Sequence, residues 1–75
     1  MRRPPIDVCI KVGDRIRYWR KQRDMTQEML SALAGLSRIN LSKIENGKAE
    51  PGIRTVYSIS QALNLKMTEL FITVD

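Results

Sequence analysis

The sequence predicts an all-α fold, a compact domain of five helices around one core. Three observations predict it. Apolar residues recur three and four positions apart through successive segments, the spacing that lines one face of an α-helix. Gly35, and Asn46 followed by Gly47, stand where two of those segments stop, and both residue types tolerate the left-handed backbone that ends a helix. The chain has 75 residues and one cysteine, Cys9, enough for one modest core and too few for a disulfide within the chain. A core of that size stabilises by roughly 3–5 kcal/mol, so close helix packing or a partner subunit must help.

The elements follow in order. Residues 1–9 read as a flexible arm, because Pro4-Pro5 keeps the chain extended. Arg2 and Arg3 have two readings there, contact with a polyanion's backbone or a plain leader. The first helix is expected from about Ile10 to Arg23, with Val12, Ile16 and Trp19 as its apolar stripe and Trp19 read as core. Arg15, Arg17, Lys21 and Arg23 cover its other face, and Asp24-Met25 links to the next helix. Thr26 is a good N-cap, since its hydroxyl can accept an orphan amide N–H at the start of helix two, Gln27–Ala34. Leu30, Leu33 and Ala34 are its expected inward residues. Gly35 makes a sharp turn and Leu36 plugs the angle behind it. Ser37 caps helix three, which runs to about Glu45 with Leu41 and Ile44 facing in. Lys48–Pro51 is a polar loop. Helix four is expected from near Gly52 to near Asn64, with Ile53, Val56, Ile59 and Leu63 at helical spacing. A last short helix covers about Met67–Phe71, and Ile72-Thr73-Val74 alternates like a short extended segment. Residues 10–75 thus read as one domain, with no internal repeat.

Charge and composition exclude several functions. The net charge is +5 and the isoelectric point is near 9.9. Residues 1–24 hold eight basic and three acidic residues, whereas residues 25–75 hold five of each, so all the excess lies in the first third of the chain. This imbalance fits attraction to a polyanion such as DNA, and it equally fits an ordinary solvated helix face. There is no histidine, no Cys/His set for a metal or a nucleophile relay, and no glycine-rich phosphate loop. An enzyme is therefore not expected, nor is any metal, cofactor or small-molecule ligand. The single cysteine, and the absence of an apolar run of signal-peptide or membrane-span length, point to the cytoplasm.

The segment TQEMLSALAGLSRINLSKIENG, residues 26–47, carries the functional signal. Two short helices broken at one bend, with polar side chains on the outer face of the second, are the layout of a helix-turn-helix that reads DNA. Four segments, IRYWRKQRDMTQEML, ALAGLS, IENGKAEP and LNLKMTELF, extend the match. Together they resemble the lambda-repressor-like, Cro/C1-type (Xre) family over roughly Val12 to Phe71. Counted from Gln27, the family has a small residue at the fifth position, Gly at the ninth, and apolar residues at the tenth, fifteenth and eighteenth; here they are Ser31, Gly35, Leu36, Leu41 and Ile44. Ser31 and Ser60 depart from the usual alanine, and the Ser31 hydroxyl needs a partner such as a carbonyl one turn back. Lys66 replaces a better N-cap. The resemblance further implies a partly buried, structural ion pair between Arg20 and Glu45, linking helix one to the end of helix three.

Under this resemblance helix three lies in the major groove. Arg38 is the first choice for a base contact, because an arginine fork can bond guanine O6 and N7 together. Ile39, Asn40, Ser42 and Lys43 complete the expected base-reading face, Ile39 against a thymine methyl or else against helix two or a partner. Gln27, by family match, leads the expected phosphate contacts, with Ser37, Asn46, Lys48 and Arg17. One reading helix covers few base pairs, so a homodimer on a palindromic operator is expected, with half-sites about 34 Å apart. Val56, Tyr57, Leu65, Met67, Phe71, Ile72 and Val74 supply a surplus of apolar residues for its interface. The expected function is transcription regulation at double-stranded DNA, with RNA polymerase as a further partner. Repressors, Cro-like switches, antitoxins and restriction-modification controllers are all small members of the family. The alternative is an antitoxin-type interaction module with secondary DNA binding.

Overall fold

The structure, a computed structural model, describes residues 6–71. Four α-helices follow one another: α1 (Ile6–Gln22), α2 (Gln27–Ala34), α3 (Arg38–Glu45) and α4 (Ile53–Ala62). A single 3₁₀ turn, Met67–Leu70, closes the order. No strand forms among the described residues. The all-α class stands, but the fifth helix is not an α-helix. Its four residues are held by i→i−3 bonds, including Phe71 N–H to the Thr68 carbonyl at 3.1 Å. Glu69 braces the turn's start by accepting from the Lys66 backbone N–H at 2.9 Å.

Helix α1 begins at Ile6, so residues 6–9 belong to the helix and not to the arm. A proline restricts the residue before it, not the one after, and a helix can open directly behind Pro5. The rest of the expected arm, with Arg2 and Arg3, lies outside the described residues. So does the expected extended tail with Ile72 and Val74.

Each α-helix is stopped by the same device. Asp24, Gly35, Gly47 and Asn64 have φ of 54°, 74°, 71° and 58°. Behind them the N–H groups of Met25, Leu36, Lys48 and Leu65 return to the carbonyls of Arg20, Ser31, Lys43 and Ser60 at 3.1, 2.8, 2.8 and 2.8 Å. This six-to-one bond satisfies a carbonyl that the last turn would otherwise leave orphaned. A side chain at Gly35 would meet nothing within 4 Å, so glycine is needed there for its dihedral and not for space.

The core contains Val12 and Ile16 of α1, Leu30 and Ala34 of α2, Leu41 and Ile44 of α3, and Val56 and Ile59 of α4, closed by Leu63, Leu65 and Leu70. Trp19, Met25, Leu36, Ala49, Ala62 and Met67 pack around its rim, so Trp19 is half-buried and not central. Leu33 corrects the inward set of α2, being 63% exposed. The buried arc of that helix runs through Leu30, Ser31 and Ala34, and Leu33 falls about 60° beyond its Leu30 edge. Val56 and Leu65, expected at the interface, are instead buried in this core. The buried hydroxyls of Ser31 and Ser60 donate to the carbonyls of Glu28 and Tyr57, at 3.1 and 2.7 Å. Serine therefore replaces alanine in these close contacts without leaving an unpaired donor.

Gly13 sets how closely the scaffold approaches α3. It is buried in the interior of α1, and a Cβ there would strike the Ile44 carbonyl oxygen and lie 2.8 Å from the Glu45 carbonyl oxygen. Only the missing side chain lets the two backbones touch at the end of α3.

Candidate nucleic-acid interface

Helix α3 divides into two faces. Leu41 and Ile44 are buried, while Arg38, Ile39, Asn40 and Lys43 are exposed and Ser42 is half-buried. Ile39 is 62% exposed, an apolar side chain placed among donors on the outer surface. Ser37 caps the helix by accepting from the Asn40 N–H at 3.0 Å, as Thr26 caps α2 by accepting from the Met29 N–H at 3.0 Å. These caps fix where each helix starts, and so fix where Arg38 and Gln27 stand.

The end of α3 is held by one buried carboxylate. The Glu45 side chain is 0% exposed and lies against Arg20, whose side chain is 11% exposed. Arg20 donates from Nε to Glu45 Oε2 at 2.7 Å and from Nη2 to Oε1 at 3.1 Å. Its Nη1 donates to the Met25 carbonyl at 2.8 Å, tying the α1–α2 turn into the same cluster. Gln27 donates from Nε2 to Glu45 Oε1 at 3.0 Å. The first residue of α2 and the last residue of α3 are therefore joined directly, and both are joined to α1. One N–H of the Gln27 amide is used inside the protein, and one remains for another acceptor.

Arg17 stands beside this cluster. Its Nη2 donates to the Glu45 carbonyl at 3.1 Å and to Asn46 Oδ1 at 2.6 Å. Asp14 lies 3.6 Å from its guanidinium, in the same helix. The other arginines at this end are also engaged. Arg23 donates to the Leu63 carbonyl and stacks 4.8 Å above the Trp19 ring. Arg15 lies 4.8 Å from the Tyr18 ring centroid and 5.6 Å from that of Trp19. The arginines in the described part of the first third are thus tied to protein groups, whereas Lys21 is exposed and Lys11 half-buried. Lys48 is exposed beyond α3.

Sequence reasoning missed two of these positions. Gly13 carried a usable signal, because a glycine inside a helical pattern marks a close packing contact. The bond from Gln27 to Glu45 had none, since nothing local to either residue points to the other. Among the described residues no group of His, Cys, Asp and Glu could hold a metal ion, and no helix is long and apolar enough to cross a membrane.

A short capped helix on a buried polar anchor, with arginine, lysine, amide and methyl groups on its outer face, defines a helix-turn-helix DNA-binding domain. The helix-turn-helix family profile HTH_3 matches residues 16–70. The chain belongs to this family, of the Xre or Cro/C1 type, a family of DNA-binding transcription regulators and not a class of enzymes. It is 34% identical over 70 residues to the HTH-type transcriptional regulator y4dJ of Sinorhizobium fredii, covering 93% of this chain and 91% of that one. It is 33% identical over 70 residues to the control protein C.MunI of a Mycoplasma species, covering 92% and 95%. Among solved structures, the restriction-modification controller protein C.AhdI from Aeromonas hydrophila superposes with a TM-score of 0.83 at 30% identity, covering 84% of this chain and 96% of that one.

Proposed function

We propose that this regulator binds a palindromic DNA operator as a homodimer, with α3 of each subunit in the major groove. The observation that carries the reading is the division of α3: the outer face is free while the inner face and C-terminal end are locked by the core and by Glu45. A reading helix must be rigid to convert base contacts into specificity. Arg38, Ile39, Asn40, Ser42 and Lys43 read base edges, and Gln27, Ser37, Asn46 and Lys48 place the domain on the phosphates.

The dimer is supported by apolar surface outside the core. Tyr57 is exposed on α4, one turn after Ile53, which is 72% exposed. Ile53 and Phe71 border one apolar hollow with Val8 and Cys9. Met67, packed on the rim of the core, lies in the adjoining 3₁₀ turn. Val56 and Leu65 serve mainly the core, with Val56 at the floor of this hollow, and Tyr57, Met67 and Phe71 are the less buried of the described candidates. The similarity to a control protein and to a restriction-modification controller supports a controller-type role, in which the regulator's own concentration is the signal.

Selection from a random duplex library at near-physiological salt tests the reading. An enriched palindrome with half-sites about 34 Å apart is the expected result. Salt-sensitive binding with no enriched sequence would overturn it.

A further inference from the structure

We propose that Arg17 is a positioning residue that sets the side-chain amide of Asn46 with its NH2 group outward, as a donor to a DNA backbone phosphate. The inference rests on the DNA-binding reading above. Arg17 and Asn46 are each expected from the sequence to contact phosphate, and their hydrogen bond joins them into one unit.

Arginine has five N–H donors and no acceptor. Because Arg17 Nη2 lies 2.6 Å from the Asn46 side chain, the atom facing it must be the amide oxygen. The amide nitrogen is thereby turned to the opposite side, where its nearest protein acceptor is Ser42 Oγ at 3.5 Å, the outer limit of a hydrogen bond. Asn46 is exposed, and it follows directly on α3 behind Lys43 and Ser42. Phosphate oxygens only accept, so the outward NH2 is the correct half of the amide for them, and a flipped amide would present oxygen to oxygen. An unrestrained asparagine samples both orientations, and Arg17 removes the wrong one.

Arg17 is itself occupied. It donates to the Glu45 carbonyl at 3.1 Å, and Asp14 Oδ1 and Glu45 Oε1 lie 3.6 and 3.7 Å from its guanidinium. Direct phosphate binding through Nη2 would break both of its hydrogen bonds at the end of α3. Acting through Asn46 keeps them.

A double-mutant cycle tests this, with affinity for the selected operator duplex measured across a salt series. Asn46→Ala is expected to weaken binding by about tenfold, the value of a hydrogen bond to a charged acceptor. Arg17→Met is expected to weaken it by about three- to tenfold alone, and by less than about twofold in the Asn46→Ala background, because interacting residues are not additive. The slope of log affinity against log salt should stay that of the wild type.

If the two effects multiply and the slope becomes shallower by about 0.9 for each phosphate lost, Arg17 binds phosphate itself and the proposal fails. If they multiply with an unchanged slope and a lowered unfolding midpoint, Arg17 only supports the fold, and the proposal fails in a different way. Should Arg17→Met not fold, Arg17→Lys replaces it in the cycle, keeping the charge without the planar fork. An Arg17→Lys loss of the same size with Asn46 present and in the Asn46→Ala background would overturn the proposal. A wild-type protein that selects no duplex instead removes the DNA-binding reading, before any variant is compared.

Discussion

Gln27 and Glu45 are eighteen residues apart and share a hydrogen bond, the Gln27 amide donating from Nε2 to Glu45 Oε1 at 3.0 Å. Because Arg20 holds the same carboxylate from α1, one buried side chain fixes both helices of the helix-turn-helix to the scaffold. This anchor holds the C-terminal end of α3, while Leu41 and Ile44 hold its inner face.

Breaking the anchor from one side should be worse than removing it. Glu45→Leu leaves the nearly buried Arg20 guanidinium without its carboxylate, and Arg20→Leu leaves Glu45 without its cation. Each single substitution is expected to destabilise by roughly 3–5 kcal/mol, while the double substitution costs less than the sum of the two. Urea unfolding followed by circular dichroism measures all three. Additive losses would show that the two charges do not stabilise each other.

Gly13→Ala should destabilise, although alanine is the better helix former. The added methyl meets the backbone carbonyls of Ile44 and Glu45, which cannot turn away as a flexible side chain could. The expected cost is about 1–3 kcal/mol, the range for overpacking a close contact. Thermal unfolding reads it, and a variant as stable as wild type would mean that α1 shifts away from α3 freely.

The helix stops give predictions of opposite sign. Asp24 holds a left-handed backbone with a side chain, so Asp24→Gly should stabilise by about 0.5–1 kcal/mol. Gly35→Ala should destabilise by about 1 kcal/mol through its dihedral alone, since the added methyl has open space. Comparing the two midpoints under one set of conditions separates backbone strain from packing.

At the surface proposed to face DNA, Arg38→Ala should relax preference at one symmetric operator position and cost roughly 1–3 kcal/mol per contact. Gln27→Ala should weaken binding evenly across sequences. It should also lower stability by about 1.5–3 kcal/mol, because it removes a hydrogen bond to a buried charge. Repeating the duplex selection with each variant, beside an unfolding curve, distinguishes the two residues. Unchanged selection by Arg38→Ala would remove it from base reading.

Charged substitutions at Tyr57 and Phe71 together should leave the fold intact, since neither residue is buried. Under the proposed dimer, sedimentation should then report a monomer where the wild type sediments as two subunits. Operator affinity should fall by about 10²–10⁴-fold with the loss of linked half-site binding. A variant that still sediments as a dimer would place the interface elsewhere.

The sequence by itself determined the elements that rest on local physics. Thr26 and Ser37 mark the starts of α2 and α3, Gly35 marks the bend between them, and the spacing of Leu41 and Ile44 sets which side of α3 faces out. Each depends on dihedral preference or helical period within a few residues, and these survive in any tertiary context. Only the tertiary structure decided which residues meet across the chain. Val56 and Leu65 belong to the core and Tyr57 does not, because burial depends on where neighbouring helices lie and not on apolarity. The α1 arginines are engaged with carbonyls, carboxylates and aromatic rings, although a charge count makes them indistinguishable from free cations. Gly13 against Ile44, Arg20 and Gln27 on Glu45, and Arg17 on Asn46 all span long sequence separations. The periodicity of one segment carries no record of the partner that packing brings to it.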